Sequence, residues 1–242
     1  MRYLVFSDVH GNIEALDRVL EEADALRPDL LVSLGDVVGY GASPNECVSR
    51  VQERAAIRIG GNHDVAAAGI IGTDTFASVA RNAMEWTARA INPLCRDYLT
   101  EYDTVRRYGE CVFAHASPVA PMEWEYIRTV SQAQSIFAKI SEKYIFIGHT
   151  HVPCIIEHSG AKGVRVIGGT FCAVDAESRY LVNVGSIGQP RDGIAAASFG
   201  LLDAKKGTIT IRRVPYDIGS AQDKIRAVGL PEALAARLAT AR

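Results

Sequence analysis

Residues 2–12 read RYLVFSDVHGN, a short apolar run that gives way at once to polar residues and a glycine. Arg2–Phe6 is β-favouring and predicts a buried strand. The next segment, IEALDRVLEEADAL, places Ile13, Leu16, Val19, Leu20 and Ala23 at helical spacing. Asn12 is a good N-cap for that helix, and Pro28 stops it. The pattern then repeats. Asp29–Leu34 (DLLVSL) predicts a second strand, ending in Gly35-Asp36. Ser43-Pro44-Asn45-Glu46 reads as a capping box with proline at the first helical position, opening a helix to about Arg54. Ala56–Ile59 predicts a third strand, ending in GGNHD. Strand, helix, strand, helix, strand implies a right-handed parallel α/β unit.

Working outward, Asp74 to about Tyr102 predicts a helical stretch interrupted by Pro93, with Phe76, Val79, Ala80, Ala83, Trp86 and Thr87 on one side. Beyond Val105 short β-like runs appear at 111–114, 144–147, 154–157, 164–167, 180–184, 198–202 and 208–214. One amphipathic helix is expected at about 129–143, and terminal helices at 222–228 and 231–239. Without repeats or linkers, the β-rich half is expected to complete the same core as a second sheet. The expectation is one domain, 1–242, with a helical insert at about 65–103.

Hydrophobic residues make up 48% and charged residues 22% of the 242, which excludes disordered, collagenous and coiled-coil classes. Lys+Arg 26 against Asp+Glu 28 gives no basic excess to favour a long nucleic acid or a membrane surface. Five cysteines, an odd number without a CxxC, argue against a disulfide framework or zinc knuckle and for reduced thiols. No apolar run approaches the ~18 residues of a membrane span. The N-terminal run is cut at Asp8, too early for a signal peptide. A cytoplasmic location is expected.

Five of the six histidines fall in polar clusters directly after predicted strands: Asp8-Val9-His10, Gly60-Gly61-Asn62-His63-Asp64, His115, and Gly148-His149-Thr150-His151. Gly35-Asp36 occupies the same kind of place. Strand ends are where open α/β sheets put their ligands. Each cluster alone reads as a turn; a shared site explains all of them together. In His-x-His, an extended backbone would project both rings to one side. Glycines 11, 35, 60, 61 and 148 would let the chain turn and approach closely. Two aspartates, one asparagine and four histidines, with His63 set aside, are too many ligands for one tetrahedral ion. They suit two ions of higher coordination number. Nitrogen-rich ligation disfavours Mg²⁺ and Ca²⁺ and leaves Mn, Fe, Zn, Co or Ni, with manganese placed first. Two divalent ions and two carboxylates would leave a charge of about +2 to attract a phosphate.

SDVHGN, GD, GNHD, the histidine of FAHASP, and GHTH, in this order, resemble the motifs of the calcineurin-like metallophosphoesterases. With VGYGASPNECV, NVGSIGQPRDG and RRVPYDI, the chain is similar to a small phosphodiesterase-like bacterial and archaeal subgroup. The resemblance implies a four-layer α/β/β/α sandwich, two mixed sheets flanked by helices, with a dinuclear site between the layers. It implies that Asp8, His10, Asp36 and His151 hold one metal and that Asp36, Asn62, His115 and His149 hold the other. It implies that His63 contacts the phosphoryl group or acts as acid, and that Asp64 orients its imidazole. Ala116 stands where relatives often have glycine.

The implied reaction is hydrolysis of a small phosphodiester or nucleotide by a metal-bound hydroxide. A phosphomonoesterase or protein phosphatase is the alternative, followed by a dinucleotide polyphosphate hydrolase and a nuclease. A non-catalytic scaffold of the same fold would be expected to lack Asn62 and His63, which are present. Outside the metal ligands, Arg191 is a candidate second phosphate contact, unless it pairs with Asp192. Tyr40 is a candidate base-stacking residue. Asn183 and Ser186 sit in a loop that would line the site. Phe76 and Trp86 read as core, His158 as a surface strand residue, and Cys154 and Cys172 as buried. The insert is a candidate cap.

Overall fold

The computed structural model of the chain describes residues 1–160 and 162–242. The N-terminal part runs β1 (Arg2–Phe6), α1 (Ile13–Leu26), β2 (Leu30–Ser33), α2 (Pro44–Arg54) and β3 (Ile57–Arg58). Three helices follow: α3 (Asn62–Ala67), α4 (Ser78–Ala90) and α5 (Pro93–Thr100). Then come β4 (Val105–Tyr108), β5 (Cys111–Ala114), α6 (Val130–Lys139), β6 (Tyr144–Ile147), β7 (Cys154–Ser159), β8 (Gly163–Ile167), β9 (Phe171–Ala173) and β10 (Ser178–Asn183). The chain closes with β11 (Ala197–Asp203), β12 (Thr208–Val214), α7 (Ile218–Ala227) and α8 (Glu232–Thr240).

The strands form two mixed six-stranded sheets, ordered β3-β2-β1-β11-β12-β9 and β4-β5-β6-β10-β7-β8. β1, β2 and β3 are parallel, as their alternation with helices predicts. The β-rich half does not all go to a second sheet. β11 pairs antiparallel with β1, Leu4 opposite Leu201, and β12 and β9 extend the N-terminal sheet beyond it. The reason is that β2 occupies only one edge of β1, and a buried strand must satisfy its other row of N–H and C=O groups.

Side-chain alternation builds the layers. In β1, Tyr3 and Val5 face the second sheet while Leu4 and Phe6 face the helices packed on the first. In β6, Tyr144 and Phe146 join the inter-sheet core, and Ile145 and Ile147 pack with Ala133, Ile136 and Phe137 of α6. The order of layers is therefore helix, sheet, sheet, helix. At the C-terminus, α7 and α8 pack together with Ala83 of α4.

Local differences have local causes. The 74–102 stretch is helical only from Ser78 and breaks at Ile91 and Asn92, where the Asn92 side chain caps α5 by accepting from the Cys95 N–H at 2.8 Å. The α6 helix stops four residues early because Ile140 is already extended. α7 starts at Ile218, capped by Asp217. The edge strands β4 and β9 carry too few buried apolar residues to announce themselves. Cys154 is half-buried rather than buried; the five cysteines are free thiols.

The two predicted caps behave differently. Asn12 accepts from the Ala15 N–H at 3.1 Å, and its amide donates to the Gly188 carbonyl at 2.9 Å. Ser43 precedes α2, but its side chain makes no capping bond, so no capping box forms there. Asn12→Ala is therefore expected to lower unfolding stability by roughly 1–2 kcal/mol. Ser43→Ala should change it by no more than about 0.5 kcal/mol. Urea unfolding of the two variants checks the contrast.

Candidate metal centre

In the first sheet β1, β2 and β3 are parallel, and in the second β5, β6 and β10 are. Both sets of C-terminal ends empty into one place. Asp8 and His10 follow β1, and Asp36 follows β2. Asn62, His63 and Asp64 open α3 after β3. His115 follows β5, and His149 and His151 follow β6.

These loops are stitched together through their backbones. The Asp8 N–H donates to Gly35 O and the His10 N–H to Asp36 O, both at 2.9 Å. The Gly188 N–H and the Ser186 hydroxyl both donate to the Asp8 carbonyl, at 2.9 and 2.8 Å. Asn183 donates to Gly148 O and Thr150 Oγ1 at 2.7 and 2.9 Å. Asn183 and Ser186 thus hold the ligand-bearing loops in place; neither borders the open cleft described below.

Asp8, His10, Asp36, His149 and His151 all have positive φ, between 51° and 67°. Non-glycine residues rarely occupy this left-handed region, and they gather at functional sites. It corrects the extended-backbone reading of His-x-His. His149 and His151 lie in a turn, and their rings go to different clusters. Gly61 and Gly148 are required by close approach: a Cβ on Gly61 would collide with Asp36 Oδ1, and one on Gly148 would meet Asp8 Oδ2 at 2.6 Å. Gly60 has room for a Cβ, so its glycine is not imposed by crowding.

Among the described residues three buried groups bring potential ligand atoms within 4.8 Å of one another: Asp8–His10–His151, Asp36–His115–His149, and His10–Asp36–His63. Asp36 Oδ2 lies 3.3 Å from His115 Nε2 and 3.7 Å from His10 Nε2, between the first two groups. Asp8 Oδ1 lies 3.3 Å from His151 Nε2.

The donor set fits metal ions on a physical criterion. His10 Nδ1 bonds the Val38 carbonyl at 3.1 Å, His115 Nδ1 that of Leu34 at 3.0 Å, and His151 Nδ1 that of Gln189 at 2.6 Å. His149 Nε2 bonds the Trp124 carbonyl at 2.9 Å. A carbonyl can only accept, so each of these nitrogens donates and leaves a lone pair on the other ring nitrogen when the ring is neutral. The free nitrogens face each other: His10 Nε2 and His151 Nε2 at 3.1 Å, His115 Nε2 and His149 Nδ1 at 3.0 Å. Facing lone pairs repel unless a proton or metal ion lies between them. Asp8 Oδ1 and Asn62 Oδ1 are also buried without a hydrogen-bond partner.

Burial opposes ionisation of Asp8 and Asp36, but histidine outweighs it. His151 holds the Asp8 carboxyl below its usual range, and His115, followed by His63, holds Asp36 well below. Burial would also lower His115, yet the charge and hydrogen bond of Asp36 raise it to about 9. Burial lowers His63 to about 4, and burial with the nearby His115 lowers His149 to about 3. Burial and the charge of Asp36 raise Asp64 to about 7.

Asp64 does not reach the His63 imidazole. Its carboxylate accepts from the backbone N–H groups of Val37 at 2.8 Å and of Val38 and Gly61 at 3.1 Å. It ties the Asp36 loop to the start of α3, because a residue at the third position of that helix points back to its own N-terminus. The His63 backbone N–H donates to Asp36 Oδ1 at 2.9 Å, and on the ring His63 Nδ1 lies 3.0 Å from Met84 Sδ.

The centre opens into a cleft of about 890 Å³. Asn62, His63 and His149 reach it from the floor, and residues 71–80 and 122–126 contribute its walls. Phe76 packs against the helix-side core of the first sheet and also borders the cleft, edge-on to His63 at 5.0 Å. Trp86 packs against the C-terminal helices, as a core residue would. Tyr40 lies against His10 and His63, 4.5 and 4.6 Å between rings. Arg191 does not pair with Asp192, which Arg213 takes; it lies over Tyr40 at 5.8 Å. His158 stacks on Phe137 at the partly exposed end of β7. No ligand motif in the sequence marks Gln189, Trp124, Tyr126, which stacks on His149 at 4.1 Å, or Arg237 on the cleft rim. The aromatic run Trp124-Glu125-Tyr126, in a stretch without helical or strand periodicity, was the one available signal.

Among the described residues, no helix is long and apolar enough to cross a membrane. Residues 1–207 match the calcineurin-like phosphoesterase superfamily domain. A metallophosphoesterase from Sphaerobacter thermophilus, known by crystal structure, is 37% identical with a TM-score of 0.87, the match covering 100% of this chain and 99% of that one. An uncharacterized protein of Methanocaldococcus jannaschii is 35% identical over 238 residues, 97% of this chain and 96% of its own. A hypothetical protein from Pyrococcus horikoshii shares the fold at 20% identity, TM-score 0.81, with 100% and 98% of the two chains covered. The chain belongs to the calcineurin-like phosphoesterase superfamily.

Proposed function

We propose that the protein is a dinuclear metal-dependent phosphodiesterase acting on a small phosphodiester or nucleotide. The observation that carries the reading is the pair of histidine–carboxylate clusters, Asp8–His10–His151 and Asp36–His115–His149, with Asp36 Oδ2 also 3.7 Å from His10 Nε2, beside an open cleft. Asp8, His10, Asp36 and His151 would hold one ion. Asp36, Asn62, His115 and His149 would hold the other. Bound there, two divalent ions supply Lewis acidity and an activated water. The nitrogen and oxygen ligands suit Mn, Fe, Zn, Co or Ni, with manganese the first to test. The five free thiols fit a reducing cytoplasm. The chain acts as a single domain, with residues 71–80 of its helical insert walling the cleft.

The side chains divide the remaining work. The carbonyl-anchored imidazoles hold their free nitrogens toward the ions. Asp64 positions the Asp36 loop against His63. The Met84 thioether accepts from His63 Nδ1, which leaves Nε2 to serve the substrate. An anionic phosphoryl group beside it favours the protonated ring. Hydrolysis adds hydroxide to phosphorus and breaks the P–O ester bond, and His63 Nε2 gives its proton to the leaving oxygen.

Assays on bis(p-nitrophenyl) phosphate and p-nitrophenyl phosphate, with metal analysis, test the reading: the diester should turn over faster. His63→Ala should keep its metal and lose turnover by roughly 10²–10⁴-fold; undiminished activity would remove His63 from the chemistry. Manganese should raise the melting temperature of the wild type, by about 2.7 kcal/mol of linkage at a hundred times Kd. Asp36→Asn should abolish most of that rise and lose both ions together. Loss of a single ion would show that Asp36 does not bridge.

A further inference from the structure

We propose that Arg191 and Arg237 form an anion subsite for a second phosphate, so that the substrate is a small molecule carrying at least two phosphate groups. This deepens the phosphoesterase reading and rests on it. The two arginines come from different elements, the loop after β10 and helix α8, yet both line the cleft. Both donate to one atom, Gln189 Oε1: Arg191 through Nη2 at 2.8 Å and Nε at 3.3 Å, Arg237 through Nη1 at 3.1 Å.

Among the described residues neither guanidinium pairs with a carboxylate. Asp192 is taken by Arg213, and Glu232 by Arg226. Asp74 and Glu123 line the same cleft but pair with neither arginine. Two like charges thus share a single neutral acceptor, an arrangement that an anion relieves. Burial, with the charge of Arg191, draws Arg237 below the usual guanidinium range. Guanidinium forks match phosphate oxygens in geometry as well as in charge.

The placement fixes the kind of substrate. Tyr40 borders both regions, its ring 4.6 Å from that of His63 and 5.8 Å from the Arg191 guanidinium carbon, and the Arg191 backbone N–H donates to the His151 carbonyl at 3.2 Å. Gln189 joins the two regions: its side chain gathers the arginines and its carbonyl holds His151 at 2.6 Å. The second phosphate would therefore sit beside the one attacked, in the same cleft. A phosphoanhydride chain, or two phosphates on one sugar, has that reach.

The test uses the manganese-loaded full chain. Calorimetric titration with inorganic triphosphate and with inorganic phosphate should show tighter binding of triphosphate. Arg237→Gln should weaken triphosphate by about 10–100-fold and phosphate by less, with Arg237→Lys recovering part of the loss. Gln189→Glu, which offers the arginines a carboxylate, should weaken triphosphate as well. Metal chelation by triphosphate is common to all the proteins and cancels between wild type and variants, so that comparison decides the subsite, not triphosphate against phosphate. Kinetics with adenosine 5′-triphosphate, adenosine 3′,5′-bisphosphate and adenosine monophosphate then separates an anhydride chain from a sugar bisphosphate. Equal binding of triphosphate by wild type and variants, or no preference for either the triphosphate or the bisphosphate nucleotide over the monophosphate, would overturn the subsite. If bis(p-nitrophenyl) phosphate is still hydrolysed in that case, the phosphoesterase reading stands without it. Arginine-dependent triphosphate binding with no ester hydrolysed would leave the subsite standing and the phosphoesterase reading lost.

Discussion

Four hydrogen bonds from imidazole to backbone carbonyl set the character of this centre. Each commits one ring nitrogen to donation and turns the other inward, so the inward nitrogens of neutral histidine pairs face each other at 3.0–3.1 Å. In a buried site water has no room to insert between nitrogens so close. A shared proton, as on His115 beside Asp36, or a metal ion resolves the contact. The carbonyls that impose the orientation come from Leu34, Val38, Trp124 and Gln189, residues with no ligand chemistry of their own. The centre is thus a property of loop backbones as much as of its acids and histidines.

Those backbones are held in an unfavourable conformation. Left-handed φ at five candidate ligand positions costs on the order of 1 kcal/mol or more each. Isolated loops would relax out of it. Here the loops bond to one another across both sheets, and the close passages at Gly61 and Gly148 leave them no alternative path. The packing of two apolar sheet faces supplies the stability that keeps the loops strained.

Much of this is written in the sequence. Alternation of apolar runs with helical periodicity gives β1 to β3 and their helices, and the recurrence of acids and histidines after strands marks the ligand loops. What a linear reading loses is contact between distant segments. Nothing in the residues around Ala197–Asp203 says that this strand lies beside β1 and not within the second sheet. Arg237 sits in an ordinary amphipathic helix, and only the docking of that helix brings it to the cleft. Asp64 misleads for a related reason: adjacency to His63 in sequence implies contact, but the helical start turns the two side chains apart.

The pairing of Leu4 with Leu201 also bears on how the molecule comes into being. A ribosome delivers β1 first and its antiparallel neighbour nearly two hundred residues later. Throughout that interval the nascent parallel unit has an open edge, vulnerable to pairing with other chains. Topologies dominated by such distant contacts fold slowly. A shortened product ending before β11 would keep all seven candidate ligand residues and still lack the strand that pairs with β1 just ahead of Asp8, so the candidate metal centre would be completed only when synthesis is nearly finished.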